Sequence, residues 1–161
     1  MFETDIIGIR FEFSRKYLDH LARLFENISV EKYTWYVSCS ENFLSCDDGK
    51  IQQFLPNGVY SGAEFNSIIH STSNYYIHLI YILAVPIGSE IDTCSINSYE
   101  DYVNSPVEIA LLSADSYVDL YAKDLGTLKS IFSSCQKYYA LGTITPQYIT
   151  PQNDDRETFF V

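Results

Sequence analysis

Val-Glu-Ile-Ala-Leu-Leu-Ser-Ala-Asp-Ser-Tyr-Val-Asp-Leu-Tyr-Ala-Lys, residues 107–123, decides the fold class. Two strand-like runs, 107–114 and 117–123, flank the short turn Ala114-Asp115-Ser116. A connection that short joins only antiparallel neighbours, so the stretch reads as a hairpin. Just upstream, residues 76–85 are nearly all apolar or aromatic, the pattern of a strand buried on both faces and expected at the sheet centre. The longest apolar stretch, 75–87, contains His78 and Pro86 and is 13 residues long. That is shorter than the ~20 residues of a membrane span.

The rest of the chain fits around this hairpin. Residues 5–13 alternate, with Ile7, Ile9, Phe11 and Phe13 on one side and Gly8, Arg10 and Glu12 on the other. Ser14 then reads as the cap of a helix with the stripe Tyr17, Leu18, Leu21, Leu24, Phe25 and Ile28. Residues 33–40 are β-branched and aromatic, hence a strand. Asp47-Asp48-Gly49-Lys50 is a turn signal joining 43–46 to 51–54 as a short hairpin. Ser61 and Glu64 form a capping box before Phe65, Ile68 and Ile69. A helical turn is expected at 98–103, and a last helix after Asp124, with Leu125, Leu128, Ile131, Phe132 and Cys135 on its buried stripe. The tail, 142–161, is expected to end in a strand at 158–161 or to dock on the sheet edge. Strands outnumber helices, and regular β-α alternation is absent. The expected architecture is α+β: one globular domain, 1–161, with a mixed, mainly antiparallel sheet and about three helices packed on one face.

Charge narrows the function classes. The 161 residues carry 21 acidic and 10 basic side chains, a net charge of −11, together with 14 Tyr, 10 Phe and one Trp. So much aromatic surface separates the chain from acidic disordered proteins. Residues 1–32 are nearly balanced, whereas the remaining 129 hold 15 acidic and five basic residues, net −10. Nucleic acids and anionic membranes call for the opposite sign. The charge either steers a cationic partner, usually a basic protein, or does no more than keep the chain soluble. The start of the chain has no basic region leading into an apolar run, so no secretory signal is read and a cytoplasmic location is expected. Cys39, Cys46, Cys94 and Cys135 are then free thiols, and no pair has metal or redox spacing.

Catalytic signatures are missing. His20, His70 and His78 form no zinc motif, and His78, within the apolar strand, is expected to be a hydrogen-bonded core residue. No nucleophile elbow, P-loop or dinucleotide fingerprint can be drawn, and no cofactor is assigned. Acidic pairs remain: Asp47 with Asp48, Glu100 with Asp101, Asp115 with Asp119, and Asp154 with Asp155. Such pairs either do general acid–base work or hold Mg²⁺, or else serve turns and helix starts. Asp154-Asp155-Arg156-Glu157 also has the makings of a salt-bridge network, with Arg156 bridging the carboxylates. Tyr in excess beside acids suits a protein-binding face as well as a core whose hydroxyls reach the surface. The binding candidates are Trp35, Asp47, Asp48, Tyr99, Glu100, Asp101, Asp154 and Asp155; no residue is assigned to catalysis or to a metal.

Four segments carry a resemblance. They are Gly8-Ile9-Arg10-Phe11-Glu12-Phe13, Tyr33-Thr34-Trp35-Tyr36, the hairpin 109–124 with Tyr117-Val118-Asp119-Leu120-Tyr121, and the ending from Ile149-Thr150 through Asn153-Asp154-Asp155-Arg156. Together the chain resembles a family of small bacterial single-domain proteins of unknown function. The resemblance implies a cytoplasmic bacterial protein and carries no activity with it. By size and charge the chain also looks like the small acidic immunity proteins that neutralise bacterial toxins. Three functions therefore stand side by side: a non-enzymatic binder of a basic protein, an enzyme using a carboxylate pair with or without Mg²⁺, and a structural or oligomerising module.

Overall fold

The computed structural model describes residues 5–12, 20–44, 50, 52–72, 75–114, 117–139, 146–156 and 159. The strands are β1 (Gly8–Glu12), β2 (Tyr33–Leu44), β3 (Gln52–Gln53), β4 (Gly58–Tyr60), β5 (Tyr75–Pro86), β6 (Ile109–Ala114), β7 (Tyr117–Ala122) and β8 (Gln147–Ile149). They form one sheet in the order β3-β2-β5-β6-β7-β1-β8, with β4 also paired to β2. The hairpin at 107–123 is β6–β7, in register from Ile109 opposite Ala122 to Ala114 opposite Tyr117. Every pairing among the described strands is antiparallel, in keeping with the α+β architecture and mainly antiparallel sheet expected. The apolar stretch is β5, an interior strand buried without a break from Ile80 to Val85. The middle of the row is β6, one strand over.

Alternation along the strands sorts the interior into two layers. On the first face lie Ile9, Phe11, Ile80, Ile82, Ala84, Ile109, Leu111, Val118 and Leu120. Three helices cover them: α1 (His20–Leu24), α2 (Gly62–His70) and α4 (Leu125–Tyr139). Their stripes bury Leu21, Leu24, Phe65, Ile69, Leu128, Ile131 and Cys135. The capping box holds, since Ser61 Oγ accepts from the Glu64 N–H at 3.1 Å and donates to Glu64 Oε1 at 3.0 Å. Gly62 lets α2 approach the 3-10 turn Val30–Lys32, because a Cβ there would lie 2.5 Å from Glu31 Cα. The Tyr75 hydroxyl, on β5, accepts the Leu21 N–H at 3.1 Å and ties α1 to the sheet.

The second face presents Tyr81, Leu83, Val85, Ala110, Leu112 and Tyr121. It is covered by a 3-10 turn (Thr93–Ser95), the short helix α3 (Tyr99–Val103) and Phe159, and Ile96, Tyr102, Val107 and Phe159 are buried in this layer. The helices therefore do not all pack on one face. The helical turn expected at 98–103 is α3, with Ser98 Oγ accepting the Asp101 N–H at 3.1 Å. Among the described residues no helix is long and apolar enough to cross a membrane.

Two further expectations change. His78 is not a core residue: it is 51% exposed and sits 3.7 Å from Glu41 Oε2, because register shifts between Ser38 and Asn42 disturb the β2–β5 alternation. The tail contributes β8, which pairs with β1 at the sheet edge, whereas the strand expected at 158–161 lies outside the described residues except for Phe159. Phe159 sits on the second face of the sheet, not at its edge; Thr158, Phe160 and Val161 lie outside the described residues.

Candidate functional site

The second face holds a charged cluster that strand alternation builds. Arg10 in β1 stands opposite Asp119 in β7, so both side chains leave the sheet on the same side. Arg10 Nε donates to Asp119 Oδ1 at 2.7 Å, and its Nη2 donates to Oδ2 at 3.1 Å. From the tail, Arg156 donates to Oδ2 through Nε at 3.0 Å and Nη2 at 2.6 Å. Asp119 is 1% exposed. An isolated carboxylate at that depth would be strongly unfavourable, and two guanidiniums satisfy it. Arg10 Nη1 also reaches Asp155 Oδ1 at 2.8 Å. That hydrogen bond holds the Asp155 carboxyl below the usual carboxylate range.

An aromatic cluster adjoins the charges. The Tyr121 hydroxyl donates to the Asp154 carboxylate at 3.2 Å, and the Tyr121 ring lies 5.0 Å from Phe159 and 5.8 Å from Tyr99. Tyr102 lies 5.7 Å from Tyr99 and 5.9 Å from Phe159. Burial, reinforced by the charge of Asp154, raises the Tyr121 phenol above its ordinary value. Asp101 Oδ2 accepts the Asn97 N–H at 3.0 Å, and the Asn97 carbonyl accepts the Phe159 N–H at 2.7 Å. Tyr99, Asp101, Asp154 and Asp155, some 50 residues apart in the chain, thus belong to one connected patch.

The remaining candidates fall elsewhere. Glu100 is exposed on α3. Trp35 is not on any surface: it is wholly buried on the first face, stacked on Phe65 at 4.3 Å, with Nε1 donating to the Val30 carbonyl at 2.9 Å. Asp47 and Asp48, like Asp115 of the pair with Asp119, lie outside the described residues. Sequence reasoning missed Arg10 and Asp119 as partners. The available signal was a carboxylate between Val118 and Leu120 in a buried strand, a place that demands a counter-charge.

The cluster is closed rather than hollow. Beside it a pocket of about 50 Å³ has Leu79, Tyr81, Leu112, Tyr117, Arg156 and Phe159 among its walls, room for water but not for a typical substrate. A wider polar depression of about 330 Å³ lies between the 3-10 turn and α4, lined by Asn27, Ser29, Lys32, Asp124 and Ser130. Its carboxylate, Asp124, is engaged in capping α4 through the Thr127 N–H at 2.8 Å. Among the described residues no three of His, Cys, Asp or Glu converge as metal ligands do.

An acidic α+β domain with a salt-bridged, aromatic second face is the class these features define. Residues 6–160 match the family described as a protein of unknown function, DUF2691, and the chain belongs to that family. It is similar to the uncharacterised protein YncE of Bacillus subtilis (strain 168), with 27% identity over 158 residues, 96% of this chain and 98% of the relative. No solved structure matches the chain significantly.

Proposed function

We propose that this protein is a non-enzymatic binding protein that takes a basic protein partner on the acidic side of its second face. An immunity-type inhibitor of a basic toxin is the sharpest form of that reading. One observation carries it: residues 87–107 contain four acidic residues, Glu90, Asp92, Glu100 and Asp101, and no Lys or Arg. That stretch supplies the α3 layer, where Glu90, Asp92 and Glu100 are exposed. Ile87 and Val103 of the same layer are 69% and 47% exposed, and Tyr99 is half-buried. Acids around exposed apolar and tyrosine side chains give long-range attraction together with short-range anchors.

Co-expression with the protein encoded beside it, followed by purification at low and high salt, tests the reading. Retention of a basic neighbour that is lost at high salt, and lost in a Glu90→Lys/Glu100→Lys variant, is the expected result. Both side chains are exposed, so the variant leaves the core intact. A neighbour that never co-purifies, or one held equally well by the charge-reversed variant, contradicts it.

A further inference from the structure

Residues 154–156 and Phe159 lie against the second face, held by ionic bonds at one point and by aromatic contacts at another. Arg156 reaches down to the buried Asp119, while Asp155 meets Arg10. Three residues beyond Arg156, Phe159 packs against Tyr121, Tyr102 and Tyr81 with ring centroids 5.0, 5.9 and 6.5 Å away. Its N–H bonds to Asn97, the residue that leads into the cap of α3. Five residues of helix do not hold themselves in water. The order of α3 comes from what Tyr99 and Tyr102 touch, and Phe159 is among those contacts.

We propose that residues 150–156 together with Phe159 act as a strap that opens and closes over the second face, and that α3 with its acidic side is ordered only while the strap is closed. The charge arrangement permits opening. Asp119 has one guanidinium from the sheet and one from the strap, so when Arg156 leaves, Arg10 still satisfies the buried carboxylate. The sheet is not left with an unpaired charge, and the first face is untouched. Opening frees Phe159 and Arg156 from the small pocket they help to wall, exposing Tyr81 and Leu112. On the binding reading above, a closed strap presents the acidic surface and an open one disperses it. The strap itself needs no partner.

Hydrogen exchange on the isolated full-length protein, resolved by segment, tests this in Arg156→Ala and Phe159→Ala. Each variant loosens one fastening. In both, exchange should accelerate together in residues 150–156 and in residues 97–103, by roughly tenfold or more, with β5 and β6 unchanged. Acceleration confined to the tail would overturn the coupling to α3. No acceleration in either segment, faster exchange throughout the sheet, or failure of either variant to fold would overturn the strap, because a segment that opens cannot take the sheet with it. No partner is present, so the result is independent of whether a basic protein binds.

Discussion

The two faces of one sheet are closed by different physics. The first is covered by α1, α2 and α4 and filled by side chains such as Trp35, Phe65, Leu128 and Ile131, held mainly by the hydrophobic effect with a few hydrogen bonds, such as that from Trp35 to the Val30 carbonyl. The second is covered by a five-residue helix, a 3-10 turn and residues of the tail, and it holds a buried carboxylate, two half-buried arginines paired with it and three buried tyrosines. Apolar packing tolerates no gap but needs no particular partner. The second layer depends on named partners, each of which can be removed singly. One sheet thus pairs a face suited to stability with a face whose cover is separable from it.

The sharpest way to break the first face is Trp35→Ala. It removes the ring stacked on Phe65 and near Phe25, at the centre of the helical layer. A loss of about 3–5 kcal/mol is expected, seen as a lower midpoint in denaturant with the whole domain unfolding as one unit. If the helices survive while only the second face loosens, the assignment of the faces is wrong.

Alkaline titration separates the faces next. Burial raises the phenols of Tyr81, Tyr102 and Tyr121 above their ordinary value. A raised folded value means that the stabilisation from these groups is fully present below about pH 10 and is lost as pH rises through the raised values. Stability should fall above about pH 10, with phenolate absorbance of this cluster appearing only as the second face opens. Ionisation of all the tyrosines at ordinary pH values with no loss of structure would contradict the packing described.

Tyr121→Phe is the smallest change. It keeps the ring and removes only the hydroxyl bonded to Asp154. About 1 kcal/mol should be lost, felt as faster proteolysis of the tail rather than as unfolding of the sheet. An effect as large as that of Trp35→Ala would show that the two faces are not separable.

The same contrast explains how much of the molecule was legible in its sequence. The hairpin, the capping box at Ser61, the helical turn beginning after Ser98, and the stripe ending at Cys135 are local patterns, and periodicity with cap chemistry suffices to find them. The second layer rests on pairs far apart in the chain, such as Arg10 with Asp119 and Asn97 with Phe159, which no local pattern encodes. Acidic residues 99–101 and 154–155 were picked out one cluster at a time, but their meeting around Tyr121 depends on the sheet order. His78 went to the side opposite to the one expected, and Trp35, a binding candidate among aromatics for which surface and core were both open, lies in the core. Aromatic content does not say which face of a strand is buried, and the register shifts in β2 are not visible beforehand.

The central claim is that the second face has its own, weaker closure. Native-state hydrogen exchange of the unaltered protein across low denaturant concentrations tests it most directly. The account predicts that amides of α2 and α4 exchange only through global unfolding, while those of α3 and of residues 150–156 exchange together through a shared opening of lower free energy. A single opening with the same free energy for both faces would contradict it.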